Sequence, residues 1–235
     1  NGKITARQIR HAVEEHRANA SHEHEVQPGM VYISNPTEVG TLYTKAELTD
    51  ISAACYELGL YLFVDGARMA YGLMSEANDL TLQDYAALCD VFYLGGTKCG
   101  ALFGEAVVIT CDALKRRFKA YMKQNGAVLA KGWLLGLQFC ALLENNAYFE
   151  AAKRADAYAM RLKKAFAAKN IPFWVENSTN QQFVILSEEQ EKRLAQKYYF
   201  EKQETTERGT VVRFCTSWAT TQEEMDALCA DIERL

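Results

Sequence analysis

The chain has 235 residues, 49% hydrophobic and 24% charged, with three Pro, 14 Gly and a formal net charge of −4. These figures exclude a disordered or collagen-like chain, and no apolar run approaches the roughly 20 residues of a membrane span. There is no global basic field for nucleic acid, and runs such as Lys115-Arg116-Arg117 read as solvated helix faces.

Seven cysteines are an odd number and none forms a C-x-x-C pair, which argues against a disulfide framework or zinc ribbon and for a reducing cytoplasm. No charged-then-apolar signal segment opens the chain, in keeping with a cytoplasmic protein. Residue 1 is Asn, so the chain is expected to begin inside a longer gene product.

Thr5 with Gln8 is a capping-box signature for a helix that carries Ile9 and Val13 on one face. Val31-Tyr32-Ile33 follows as a short strand. Thr44 with Glu47 opens a second helix, in which Leu48, Ile51, Cys55 and Leu58 recur at spacings of three and four, and Gly59 supplies its stop. Leu60 to Val64 reads as a buried strand, Leu82 to Ala87 as a helix, and Asp90 to Leu94 and Ala106 to Thr110 as two more strands. Continuous apolar strands between amphipathic helices predict an α/β fold, with a mostly parallel sheet covered on both faces, over residues 1–130.

Residues 131–235 have a different character. A long helical region is expected from Lys131 towards Lys169, with Ala155, Ala159, Leu162 and Phe166 inward. Short strands at Pro172 to Val175, Gln182 to Leu186 and Val211 to Cys215, a helix opened by Ser187 and Gln190, and a last helix capped by Thr221 and Glu224 make a small α+β domain.

Ligands of open α/β sheets sit at the carboxyl ends of the strands. Three polar clusters follow strands directly: Ser34-Asn35, Asp65-Gly66-Ala67-Arg68 and Gly95-Gly96-Thr97-Lys98. Lys98 is either an exposed turn lysine or an amine poised to form a Schiff base with a carbonyl cofactor, on a turn whose bare backbone lets a ligand approach. Asp65 is a helix cap, a charge paired locally with Arg68, or a carboxylate facing the pyridinium nitrogen of pyridoxal phosphate. His22-Glu23-His24-Glu25 places two histidines close together, but no further Cys or His completes a metal site, and none is expected.

Together, Val64-Asp65-Gly66-Ala67-Arg68-Met69, Phe92 through Gly100, Tyr32 through Gly40 and Val212-Arg213-Phe214-Cys215-Thr216 resemble the low-specificity L-threonine aldolases. These are members of the β-eliminating lyase group of pyridoxal-phosphate enzymes, with the fold type I architecture of aspartate aminotransferase. The resemblance implies pyridoxal 5'-phosphate as cofactor, with Lys98 as the Schiff-base lysine and Asp65 at the pyridine nitrogen. It implies Arg68 and Arg213 on the substrate carboxylate, a task suited to the guanidinium fork, with Arg68 also beside the cofactor. His24, or His22 two residues before it, falls near the reacting centre, and Thr97 near the phosphate.

Cys99 stands where many members have Asn, and Gly126-Ala127-Val128, close to Lys131, stands in a stretch often richer in glycine. The family carries about a hundred further residues before the point matching Asn1, including the first strands of the sheet and the phosphate-gripping loop. The implied reaction is retro-aldol cleavage of threonine or allo-threonine, with His24 as base, in a homodimer or homotetramer. A β-elimination from another amino acid and a catalytically inactive fragment are the alternatives.

Overall fold

The computed structural model describes residues 1–235. Thr5 and Gln8 close a capping box that opens α1 (Ala6–Ala18), whose Ile9 and Val13 are buried. A single 3-10 turn, His22–His24, leads towards β1 (Met30–Ser34). Thr44 and Glu47 cap α2 (Lys45–Leu58), and Gly59 ends it in the left-handed region at φ 71°. The chain continues through β2 (Tyr61–Asp65), α3 (Met69–Met74), α4 (Leu82–Leu88), β3 (Val91–Gly95) and β4 (Glu105–Ile109).

These strands lie in the order β1-β2-β3-β4, the first three parallel and β4 antiparallel to β3, so the sheet is mostly parallel as expected. Val31, Ile33, Leu62, Val64 and Phe92 pack with Leu48 and Ile51 of α2 in the first core. Strand periodicity sends alternate side chains to the opposite face. There Met30, Tyr32 and Tyr61 are exposed, so β1 and β2 bury one face, where the apolar runs had suggested two.

Three short helices, α5 (Asp112–Lys115), α6 (Phe118–Gln124) and α7 (Trp133–Leu143), lead to the long α8 (Ala147–Ala168). The expected continuous helix is broken at Asn145 and Asn146, which take left-handed φ values of 54° and 60°. Asparagine tolerates that region better than most residues, so the break falls where the sequence makes it least costly. The second sheet contains β5 (Phe173–Val175), β6 (Gln181–Leu186), β7 (Glu201–Thr206) and β8 (Gly209–Cys215), antiparallel in the order β5-β6-β8-β7. Helices α9 (Glu188–Ala195) and α10 (Gln222–Glu233) start at the expected capping boxes.

Strand β7 was not foreseen. Its sequence has no apolar alternation, because it is an edge strand whose polar side chains face water on both sides. Leu162 and Phe166 of α8, Val184, Leu186 and Val212 form the second core with Met225 and Ile232 of α10. A smaller cluster of Ala70, Tyr71, Cys99, Tyr148, Ala152 and Ala155 joins α3 to α8 beneath the turn after β3. No helix is long and apolar enough to cross a membrane.

Candidate active site

Ser34 and Asp65 are register partners at the carboxyl ends of β1 and β2. A Cβ on Gly66 would lie 1.8 Å from the Tyr93 carbonyl oxygen, and one on Gly95 would lie 2.2 Å from that of Ala67. The Gly95 N–H donates to the Gly66 carbonyl at 2.8 Å. The bare backbone of Gly66 and Gly95 therefore lets the turn after β2 press against the turn after β3. The effect is to set Asp65 and Lys98 on adjoining turns.

Asp65 is half-buried and held from several directions. The Tyr32 hydroxyl donates to its Oδ2 at 2.6 Å, and the Ala67 N–H donates to Oδ1 at 2.9 Å. Burial opposes ionisation most strongly, but the hydroxyls of Tyr32 and Tyr93, the Ala67 N–H and the charge of Lys98 together hold the pKa below the usual carboxylate range. The same contacts act in reverse on the phenols. Burial and Asp65 push Tyr32 up to about 12 and raise Tyr93 as well. Asp65 is therefore a carboxylate that stays charged near neutral pH while retaining acceptor capacity for another donor.

Lys98 combines a fixed backbone with a free side chain. Tyr71 of α3 donates to the Lys98 carbonyl at 2.6 Å, and Tyr148 of α8 donates to that of Gly95 at 2.9 Å. The Glu105 carboxylate accepts the Gly96 N–H at 2.6 Å, which closes the other side of the turn. The Lys98 ammonium is exposed and has neither hydrogen-bond nor ion-pair partner within the chain. Thr97 is exposed beside it; its Oγ1 accepts the Gly104 N–H at 3.0 Å and points its own proton at the Gly104 carbonyl across 3.5 Å.

Arg68 lies at the start of α3, half-buried, with a guanidinium that likewise has no partner in the chain. Arg213 sits in β8, and its charge converges with those of Arg68 and Lys98 on Cys215. Crowding around that thiol raises its pKa against the pull of the three cations. The second sheet thus delivers Arg213 to the rim formed by the first. Unlike the other two cations, Arg213 is occupied: Nη1 donates to Gln181 Oε1 at 3.1 Å and Nη2 pairs with Glu201.

The structure does not bring His24 to this rim. The turn that holds it is fastened to the carboxyl end of α1, where Asn19 bonds Glu25 at 2.6 Å and His16 lies 3.3 Å from Glu25. Arg17 on the last turn of α1 reaches the Leu58 carbonyl, next to where β2 begins. His24 is therefore exposed at the amino ends of β1 and β2, the opposite edge from Asp65; His22 packs beside His16 in the same place, with ring centroids 5.9 Å apart. A further titratable group that does lie at the rim is Glu38, whose Oε1 accepts the Ser34 hydroxyl at 3.3 Å and whose charge reaches Tyr32. It has no ion-pair partner.

Four residues of the rim escaped the sequence reading: Tyr32, Tyr93, Glu38 and Glu201. A signal existed for the first, since Tyr32 is two residues before Ser34 and so shares its face of the sheet. Glu38 stands inside the quoted run from Tyr32 to Gly40, but only the fold turns it back beside Ser34.

A family model described as Beta-eliminating lyase matches residues 1–189. Low specificity L-threonine aldolase of Pseudomonas sp. is 32% identical over 234 residues, 98% of this chain and 65% of the relative. The protein of that name in Pseudomonas aeruginosa is 32% identical over 212 residues, 89% of this chain and 60% of its own. The chain thus spans less than two thirds of either curated relative. Among solved structures, the threonine aldolase of Leishmania major superposes with a TM-score of 0.95 at 46% identity, covering 99% of this chain and 67% of that one.

Proposed function

The chain belongs to the beta-eliminating lyase family, and from that premise we propose that it is a pyridoxal-phosphate enzyme that cleaves L-threonine and L-allo-threonine to glycine and acetaldehyde. One observation carries this reading. A carboxylate held ionised at the end of β2 adjoins, through the Gly66–Gly95 backbone contact, a turn that fixes the Lys98 backbone and leaves its amine unpartnered. The donor set fits the cofactor: Asp65 for the ring nitrogen, Lys98 for the aldehyde carbon, and on Thr97 a hydroxyl proton held only at 3.5 Å that is free to turn to phosphate. When bound, pyridoxal phosphate supplies an electron sink for the pair left on Cα as the Cα–Cβ bond breaks.

The remaining work falls to this chain's own residues. Arg68 and Arg213 hold the substrate carboxylate, whose geometry matches the guanidinium fork, and so fix which Cα bond is turned towards the sink. Glu38 takes the task first assigned to His24. As a rim carboxylate bonded only to the Ser34 hydroxyl, it accepts the β-hydroxyl proton on its other oxygen. Asp65 stays charged throughout, secured by Tyr32 and Tyr93.

Seven unpaired cysteines support a cytoplasmic setting, and exposed apolar side chains on α7, Trp133 and Leu137 among them, support a homo-oligomer. The test of function is product identity. Acetaldehyde and glycine from threonine support the reading, whereas pyruvate or another oxo acid from a different amino acid replaces it with β-elimination. Lys98→Ala should abolish the visible absorbance band that pyridoxal phosphate acquires on binding; a band that survives removes Lys98 from its role.

A further inference from the structure

The three cations at the rim are not equally available. Arg68 and Lys98 are unpartnered, but every donor-bearing nitrogen of Arg213 is either engaged or sealed: Nη1 by Gln181, Nη2 by Glu201, and Nε by burial without any acceptor. Each Nη still has a second N–H, but a carboxylate that takes both Nη atoms meets the Glu201 charge already paired with one of them. Like-charge repulsion then favours its taking the place of that acceptor.

The two occupants differ in their freedom to leave. Gln181 is fully buried at the start of β6, register partner of Cys215, and has no solvent to move into. Glu201 is the first residue of the edge strand β7, paired across the ladder with Arg213, and its side chain is 51% exposed. Rotation about its own χ angles returns its carboxylate to water, where the charge is well solvated.

We propose that Glu201 occupies the carboxylate seat on Arg213 while the site is empty and is displaced by the substrate carboxylate. This rests on the reading of Arg213 as a holder of that carboxylate. The arrangement has a physical purpose: a guanidinium at this depth, with Nε already unpartnered, would otherwise stand without a counter-charge between turnovers. It also has a consequence. Glu201 competes with every ligand of Arg213, so it sets affinity for the amino acid without touching the bond that breaks.

Replacing Glu201 with Gln keeps the shape of the side chain and removes its charge. In the protein loaded with pyridoxal phosphate, glycine binding measured by calorimetry should tighten about threefold in Glu201→Gln, the scale set by a half-exposed ion pair. The Michaelis constant for threonine should fall in step, with the effect on KM and not on kcat. In an Arg213→Gln background, the Glu201 substitution should make no further difference. Unchanged or weakened glycine binding in Glu201→Gln, alongside at least tenfold weakening in Arg213→Gln, would overturn the competitor role while leaving the Arg213 assignment standing. Glycine binding unaffected by Arg213→Gln would remove Arg213 as the carboxylate holder, and the proposal with it. A urea midpoint for each variant shows whether it remains folded, and Glu201→Ser, which also removes the competing charge, must tighten glycine binding in the same direction.

Discussion

Tyr32 and Asp65 stand on neighbouring parallel strands, on the same face of the sheet, joined by a 2.6 Å hydrogen bond from the phenol to Oδ2. Phe63 stacks on the Tyr32 ring at 5.0 Å between centroids, which fixes the direction of that donor. The pair explains how a carboxylate whose burial favours the neutral acid nevertheless has a lowered pKa.

Tyr32→Phe should therefore raise the Asp65 pKa. A depressed carboxylate pKa means that the charge, and the stability it contributes, is present above the ordinary Asp value and is lost as pH falls through the folded value. Losing a hydrogen bond to a charged group moves that loss to higher pH. We expect the acid limb of pyridoxal-phosphate binding, followed by absorbance from about pH 7 down to about pH 3, to shift upward by roughly one unit. An unmoved limb would assign the lowered pKa to Tyr93, the Ala67 N–H and Lys98 alone.

Glu38 and His24 make opposite predictions. Glu38→Gln should lower kcat for threonine cleavage by about a hundredfold, the lower end of what a general base contributes, with pyridoxal-phosphate absorbance retained. His24→Ala should leave both unchanged, because its turn lies at the far edge of the sheet. The reverse result in a side-by-side acetaldehyde assay would restore the histidine.

How far the site could be read in advance depends on what sort of information each residue required. Asp65 and Lys98 were legible because strand ends and the apolar runs before them are local features, as were the capping boxes at Thr5, Thr44, Ser187 and Thr221. The position of His24 was not legible, because its distance in sequence from Asn35 says nothing about which end of β1 it reaches; the hydrogen bonds around Asn19 and Glu25 decide that. Tyr32 reads as one more apolar residue of a strand, since the acceptor of its hydroxyl lies on another strand. The polar strand β7, and with it Glu201, has no periodicity to detect, because its pairing with β8 rests on backbone bonds and not on burial.

The packing of the two turns yields a stability prediction. Gly66→Ala would force a methyl group to within 1.8 Å of the Tyr93 carbonyl, which is backbone and held by the sheet. A loss of at least about 3 kcal/mol is expected in urea denaturation. Gly59→Ala is the useful comparison, since it meets nothing within 4 Å and is disfavoured only by its φ of 71°. It should lose about 1–2 kcal/mol, the penalty of a left-handed conformation alone. Similar losses at both sites would mean that the Gly66 turn can open, and with it the spacing between Asp65 and Lys98.

Asp156 on α8 carries the last prediction. It is 5% exposed, neither carboxylate oxygen has a hydrogen-bond partner, and burial raises its pKa to about 8. Glu76, Lys153, Arg161 and Lys164 line the cavity of about 310 Å³ beside it, but none is bonded to it. A carboxyl whose folded pKa lies above its unfolded value keeps a proton that the unfolded chain releases, so folding loses stability as pH rises from about 4 towards 8. The native protein should therefore melt at a progressively lower temperature across that window. Asp156→Asn removes the ionisation at nearly constant volume. It should flatten the slope, leaving the variant close to the parent near pH 5 and about 2–4 kcal/mol more stable near pH 8.5. Parallel melting curves for the two proteins across the window would mean that Asp156 finds a counter-charge, with Lys153 and Lys164 in the same cavity to supply it.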